Sequence, residues 1–102
     1  MSVALIIKDG KPDTPMVPVA TEATFSTVWQ SGAKALSLEW IAAMQFGIVV
    51  TAENRAAILE ELGKLRVWFE ENGYSVLHVR IDMMVTALNG LQFDKGETAW
   101  IG

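Results

Sequence analysis

The single histidine, His78, is the first side chain to consider for chemistry, because an imidazole gains or loses a proton near neutral pH. If residues 74–90 form a helix, Ser75, His78 and Asp82 share one helical face. These are the residue types of a nucleophile, a base and an orienting acid. A hydrolytic site also needs an oxyanion hole and a strained turn that exposes the nucleophile, and the chain has no G-x-S-x-G motif. We therefore predict that Ser75 caps the helix and that His78 pairs with Asp82.

Metal, acid–base and nucleotide sites have less support in the sequence. His78 and Asp82 offer two ligands at i, i+4, but the chain has no cysteine and no second histidine to complete such a site. The adjacent pairs at 60–61 and 70–71 are glutamates that diverge by about 100° on a helix, which is typical of a solvated face. Neither glycine-rich phosphate-binding motif occurs. We predict no catalytic residue, no metal and no cofactor.

Three of the four tryptophans are candidate binding residues. Trp68 lies about 100° from the apolar helical stripe that contains Phe69, so we expect it to be partly exposed or covered by another element or chain. Trp40 and Trp100 are further candidates, because tryptophan is enriched in interface hot spots and ligand pockets. We expect these rings to line an interface or an apolar pocket. The polar groups of such a pocket would come from Tyr74, His78, Asp82 and Glu22.

Hydrophobic periodicity predicts the elements that position these residues. The predicted strands are 3–8, an edge strand 16–20 that contains Pro18, 48–50 and 97–101, with a turn at 11–15 joining the first two as a hairpin. The predicted helices are 25–36 with Thr21 or Thr24 as cap, 38–46 with Ser37 as cap, 52–71 with Thr51 as cap, and 74–90. The last segment also alternates at Leu77, Val79 and Ile81, so its beginning is open to interpretation as a strand.

This order predicts a single α+β domain over residues 1–102. Its strands are short and its helices carry most residues, which favours a two-layer sandwich. The predicted sheet is small and mostly antiparallel or mixed, with helices packed on one face. Because such a sheet has bare edges, edge strands of two chains could pair.

Composition points to association between chains. Of 102 residues, 51% are apolar and 20% are charged. A chain this small has too little interior to bury so many apolar side chains, so some of them should remain exposed. Large exposed apolar patches usually mark an interface. We predict a homo-oligomer, with a dimer favoured.

Charge and hydropathy argue against binding to nucleic acids and against insertion into membranes. Twelve acidic against eight basic residues give a net charge of −4, and the basic residues are scattered, so we predict no nucleic-acid binding. The longest apolar stretch, 41–50, is interrupted by Gln45 and Gly47 and is shorter than the roughly 18 residues of a membrane span. The N-terminal residues lack the basic region of a signal peptide. We expect a cytoplasmic protein that does not enter membranes.

A pattern of apolar and aromatic positions resembles small bacterial accessory proteins, those of mobile elements such as integron gene cassettes and the immunity-like partners of toxins. The pattern covers much of the chain and consists of Val17-Pro18-Val19-Ala20, Phe25 with Trp29, Leu38 with Trp40, Phe46-x-x-Val49, Ile58-Leu59-x-x-Leu62, Arg80-Ile81-Asp82 and Trp100-Ile101-Gly102. The resemblance implies a bacterial, cytoplasmic, non-enzymatic protein and brings no catalytic residues with it.

Two functions follow as hypotheses. The first is a small homo-oligomer that acts by binding, for example as an acidic inhibitor of a basic protein, since opposite charge steers encounter. The alternative is a small-ligand-binding module or enzyme with an apolar pocket lined by tryptophan and tyrosine, with His78 and Asp82 as its polar groups.

Overall fold

The computed structural model describes residues 2–8 and 16–102. In this part of the chain the strands form one antiparallel sheet in the order β2-β1-β4-β3. Their bounds are β1 Ser2–Lys8, β2 Met16–Thr21, β3 Ile48–Val50 and β4 Thr98–Ile101. The predicted hairpin between the first two strands is confirmed, with β2 at an edge. The predicted turn at 11–15 lies outside the described residues.

The helices form the second layer. Their bounds are α1 Glu22–Thr24, α2 Gln30–Leu36, α3 Glu39–Ala43, α4 Arg55–Glu71 and α5 His78–Asn89. A π-helical segment, Phe25–Trp29, joins α1 to α2, and short 3-10 turns span Ser75–Leu77 and Phe93–Lys95. None of the helices in the described residues combines the length and apolar character that crossing a bilayer requires.

The hydrophobic core lies between the helices and one face of the sheet. Its sheet residues, such as Leu5 on β1 and Ile101 on β4, alternate with residues outside the core, so the helical layer covers a single sheet face. The predicted α+β class with helices on one face is therefore confirmed. Phe25, Trp29 and Phe69, predicted as core, are fully buried together with the rest of the α4 stripe, Ile58, Leu62 and Leu65.

The ends of the helices confirm some predicted caps and correct others. Thr21 caps α1, because its hydroxyl accepts a hydrogen bond from the Thr24 N–H at 3.2 Å. Ser37 was predicted to begin the next helix, but it ends α2 in the left-handed conformation at φ 58°, and Leu38 precedes α3 without a side-chain cap. The Thr51 hydroxyl accepts a hydrogen bond from the Asn54 N–H, and the Thr51 N–H donates one back to the Asn54 side chain, so Thr51 caps the turn that leads into α4; the α-helix itself begins at Arg55 rather than at residue 52.

The segment predicted as one helix over 74–90 is divided. Residues Ser75–Leu77 form a 3-10 turn, and the α-helix starts only at His78. The prediction that Ser75 caps this helix is wrong, because no side-chain cap hydrogen bond forms at either start. Helix formation from His78 onward is confirmed, and a strand at the start of this segment is not found.

Two polar side chains of α4 fasten other elements to it. The Glu61 carboxylate accepts a hydrogen bond from the Ile41 N–H at 3.0 Å, in the first turn of α3. The Arg55 guanidinium donates to the carbonyl of Leu88 in the last turn of α5 and to that of Leu91 just beyond it, and it lies 4.9 Å from the centre of the Phe93 ring. Both side chains therefore bind backbone groups at the end of a neighbouring helix, where fewer partners within the helix are available.

Candidate functional site

His78 and Asp82 do not pair with each other. The Asp82 carboxylate accepts hydrogen bonds from Nε and Nη2 of Arg66, at 3.0 and 3.5 Å, across the α4–α5 interface. The His78 Nε2 atom lies 3.2 Å from the backbone carbonyl oxygen of Arg66. The predicted His78–Asp82 pair is therefore wrong, because the Asp82 carboxylate binds an arginine on the neighbouring helix instead.

The i, i+4 spacing of charges on α4 predicts two ion pairs, Glu60 with Lys64 and Arg66 with Glu70, and Arg66 binds a different carboxylate. The hydrogen bond of Arg66 to Asp82 and the nearby Asp82 charge raise the pKa of the guanidinium, with a smaller contribution from Glu70. The group is solvent-exposed, so this ion pair positions α5 on α4 more than it stabilises the fold. The other predicted i, i+4 pair, Glu60 with Lys64, forms at 3.5 Å.

Trp68 belongs to a cluster of rings at the end of α4. It is half-buried and stacks on Tyr74, with ring centres 6.0 Å apart, while Phe69 contacts both rings. Its other neighbour is Gly32 of α2, where an added Cβ would lie 2.8 Å from Cε3 of Trp68. The ring therefore packs into the space that a glycine leaves open, and Tyr74 remains 38% exposed beside it.

Trp40 and Trp100 are half-buried in two different places. Trp40 packs against the core from α3, whereas Trp100 does not contact the core. The Trp100 ring lies against two glycines, since a Cβ would be 2.8 Å from it at Gly47 and 2.5 Å from it at Gly102. Gly47 adopts φ 95°, which ends the segment before β3 as the sequence predicts. The three tryptophans thus do not meet in one site, and their role in binding stays a prediction.

The side of the sheet that faces away from the helices is called the outer sheet face here. Its central side chains are apolar: Ala4, Ile6, Met16, Pro18, Val49 and Trp100. Met16 is 61% exposed and Val49 is 57% exposed, whereas Ile6 and Trp100 are half-buried and Ala4 is buried, so this face is exposed mainly at its two edges. Sequence reasoning singled out only Trp100 on this face, because a continuous apolar strand does not reveal which of its faces the helices will cover.

A second apolar surface lies beside α5, which packs against β2. We call it the α5–β2 groove. It has a volume of about 500 Å³ and is lined by Val17, Val79, Asp82, Met83, Thr86 and Ala87. Of the predicted polar candidates, Asp82 lines this groove, whereas Tyr74, His78 and Glu22 do not. Within the part of the chain that the structure describes, Asp82 is the only charged residue that lines this groove. No group of three or more His, Asp or Glu side chains in the described ranges could hold a metal ion.

Comparisons with protein-family models, curated proteins and solved structures found no match to this chain. The resemblance to gene-cassette and immunity-like proteins stays a prediction from the sequence.

Proposed function

We propose that this protein acts by binding other protein chains, without catalysing a reaction, and that it does so as a small homo-oligomer, most simply a dimer. The observation that carries the proposal is the uncovered outer sheet face, where large apolar side chains such as Met16 and Val49 are more than half exposed. Exposed apolar surface of this kind usually marks a protein interface. The cytoplasm is the compartment we propose for it.

The placement of the polar candidates supports binding over catalysis. The His78 Nε2 atom contacts a backbone carbonyl and Asp82 pairs with an arginine, so the two side chains do not form the base–acid pair that a hydrolytic site would use. Tyr74 packs on Trp68 at the end of α4, and Glu22 lies on α1. A reaction would need several of these groups around one cavity.

An acidic inhibitor of a basic protein is one concrete form of this function. The exposed carboxylates of Glu60, Glu70 and Glu71 lie on α4, in the helical layer. A basic partner would be steered to that side of the molecule, with an association rate that falls as salt is added. An association rate independent of salt would count against this form.

The α5–β2 groove favours a second candidate function, the binding of a small apolar ligand. Its volume is within the range of ligand pockets, and Asp82 would be its polar group. Under this alternative, Asp82→Ala should weaken binding of an apolar dye to the purified protein. Unchanged dye binding would remove the candidate.

The molar mass in solution tests the proposed function. Light scattering after gel filtration, over loading concentrations from about 1 to 300 µM, covers the range in which weak dimers dissociate. We expect the mass to rise from 11.2 kDa toward twice that value. A mass that stays at 11.2 kDa throughout would contradict self-association.

A further inference from the structure

We infer that the outer sheet face is the surface on which a second copy of this chain docks, giving a two-fold dimer in which two sheets pack face to face. This inference rests on the proposed function and names the interface that the function would use. A two-fold contact brings the same patch of each chain together, so the patch must be complementary to itself. A sheet face meets this requirement, since two sheets stack about 10 Å apart.

The register of the strands gathers the apolar side chains into one row. Ile6 lies opposite Met16 on one side and opposite Trp100 on the other, and Trp100 lies opposite Val49. The row therefore crosses the whole sheet from β2 to β3. Polar residues such as Lys8 and Thr98 pair at one end of the face, which leaves an apolar centre with a polar margin.

The sequence of the strands also indicates that both faces of the sheet are buried against other structure. Residues 3–7 are apolar without interruption, and so are residues 48–50. Runs of this kind are typical of strands that are buried on both sides, whereas a strand with one solvated face alternates between apolar and polar residues. Among the described residues the helices cover one face only, and no second layer of helices or strands covers the other.

The distribution of charge favours a second copy over an oppositely charged partner at this face. No charged residue lies in the row from Met16 to Val49, so two copies bring no like charges together at its centre. The acidic side chains of α4 belong to the helical layer on the far side. Two chains of net charge −4 therefore approach with the least repulsion through their sheets.

The area of the face suits a weak to moderate dimer. Strands about 4.8 Å apart, with about five residues each at 3.3 Å per residue, make a plane of roughly 15–20 Å on each side. Because Ala4 is buried and Ile6 and Trp100 are half-buried, the exposed part of this face is smaller than the roughly 800 Å² per chain of a standard interface. We expect dissociation in the micromolar range.

Other surfaces of the described residues fit a second copy less well. The edge pairing suggested by the sequence is disfavoured, because β2 contains Pro18 and its register with β1 shifts between Val3 and Ala4, and β3 has only three residues. The α5–β2 groove is concave, and two concave surfaces leave a void when a two-fold axis brings them together.

Paired valine-to-lysine variants test the inference. Val49→Lys places a charge in the row, whereas Val79→Lys places the same charge in the α5–β2 groove; these valines are 57% and 60% exposed. We expect Val49→Lys to raise the dimer dissociation constant at least about 100-fold, since each dimer would bury two charges. Val79→Lys should change it by less than about 3-fold. Met16→Lys repeats the test at the opposite edge, and circular dichroism checks that each variant is folded.

The outcomes separate this inference from the proposed function. A monomeric Val49→Lys or Met16→Lys beside a dimeric Val79→Lys supports the outer sheet face. A dimeric Val49→Lys and Met16→Lys, with or without loss of the dimer in Val79→Lys, overturns the inference while self-association stands. A wild-type chain that is monomeric at every concentration overturns both.

Discussion

Replacing Gly32 by alanine should destabilise the fold, although alanine is the better helix former. In a helix interior, Gly→Ala alone stabilises by about 0.5–1 kcal/mol. At Gly32, however, the new Cβ would lie 2.5 Å from Cδ1 of Leu65 and 2.8 Å from Cε3 of Trp68, where carbon atoms normally approach to about 3.5–4.0 Å. Leu65 is fully buried, so it cannot move aside into solvent. Overpacking of this kind costs about 1–3 kcal/mol, so we expect a net loss of about 1–2 kcal/mol.

Gly63 supplies the matched control. It lies within α4, is exposed, and has no heavy atom within 4 Å of an added Cβ. Gly63→Ala should therefore stabilise the protein by about 0.5–1 kcal/mol. The same substitution thus has opposite signs at two helical positions, and the difference comes from packing alone.

Urea unfolding, followed by circular dichroism at one low protein concentration, measures both effects without a contribution from association. The double variant Gly32→Ala/Leu65→Val should be more stable than the sum of the single effects, because the shorter valine relieves the clash. If Gly32→Ala is as stable as the wild type or more stable, the close packing of Trp68 and Leu65 on Gly32 is wrong.

Three further variants test hydrogen bonds within the helical layer. Arg55→Ala should lower the free energy of unfolding by about 1.5–3 kcal/mol in urea, because two carbonyls at the end of α5 lose a charged donor. Glu61→Ala should lower the melting temperature by roughly 4–8 °C, because the Ile41 N–H loses a partner worth about 1 kcal/mol. His78→Ala should leave the mass in solution unchanged, since the ring contacts the carbonyl of Arg66 in the helical layer; a loss of self-association would contradict the proposed interface.

Local pattern was sufficient for most of the fold. The α4 stripe from Ile58 to Phe69 and the end of the segment before β3 at Gly47 are encoded by residues close in sequence, and they are found as predicted. The observed helix boundaries differ from the predicted ones where a residue could either end one helix or begin the next. Ser37, for example, ends α2 in a left-handed conformation instead of capping α3, which its residue type alone does not distinguish.

Contacts between distant segments could not be predicted from periodicity. Arg66 meets Asp82 across two helices, and this partner replaced both Glu70 and His78 in the predicted pairs. Trp68 was expected off the apolar stripe, and its half-burial depends on Gly32, a residue 36 positions away. The helical period places each side chain on a face, but it does not say which element packs there.

The outer sheet face illustrates the same limit. An uninterrupted apolar strand such as residues 3–7 predicts burial on both faces, and the helices of one chain supply only one layer. The remaining face therefore became visible only when the sheet order was known. The sequence nevertheless contains the reason for expecting a cover there.

Pulsed hydroxyl-radical oxidation of the wild-type protein tests the central claim most directly, because it compares methionines within one molecule. Met16 on the outer sheet face is 61% exposed and Met83 in the α5–β2 groove is 40% exposed, whereas Met44 and Met84 are fully buried and serve as unreactive controls. As the protein concentration rises, we predict that Met16 oxidation falls at least about 3-fold while Met83 oxidation stays constant. Oxidation of Met16 that is independent of concentration, in a sample whose mass shows a dimer, would contradict docking through the outer sheet face.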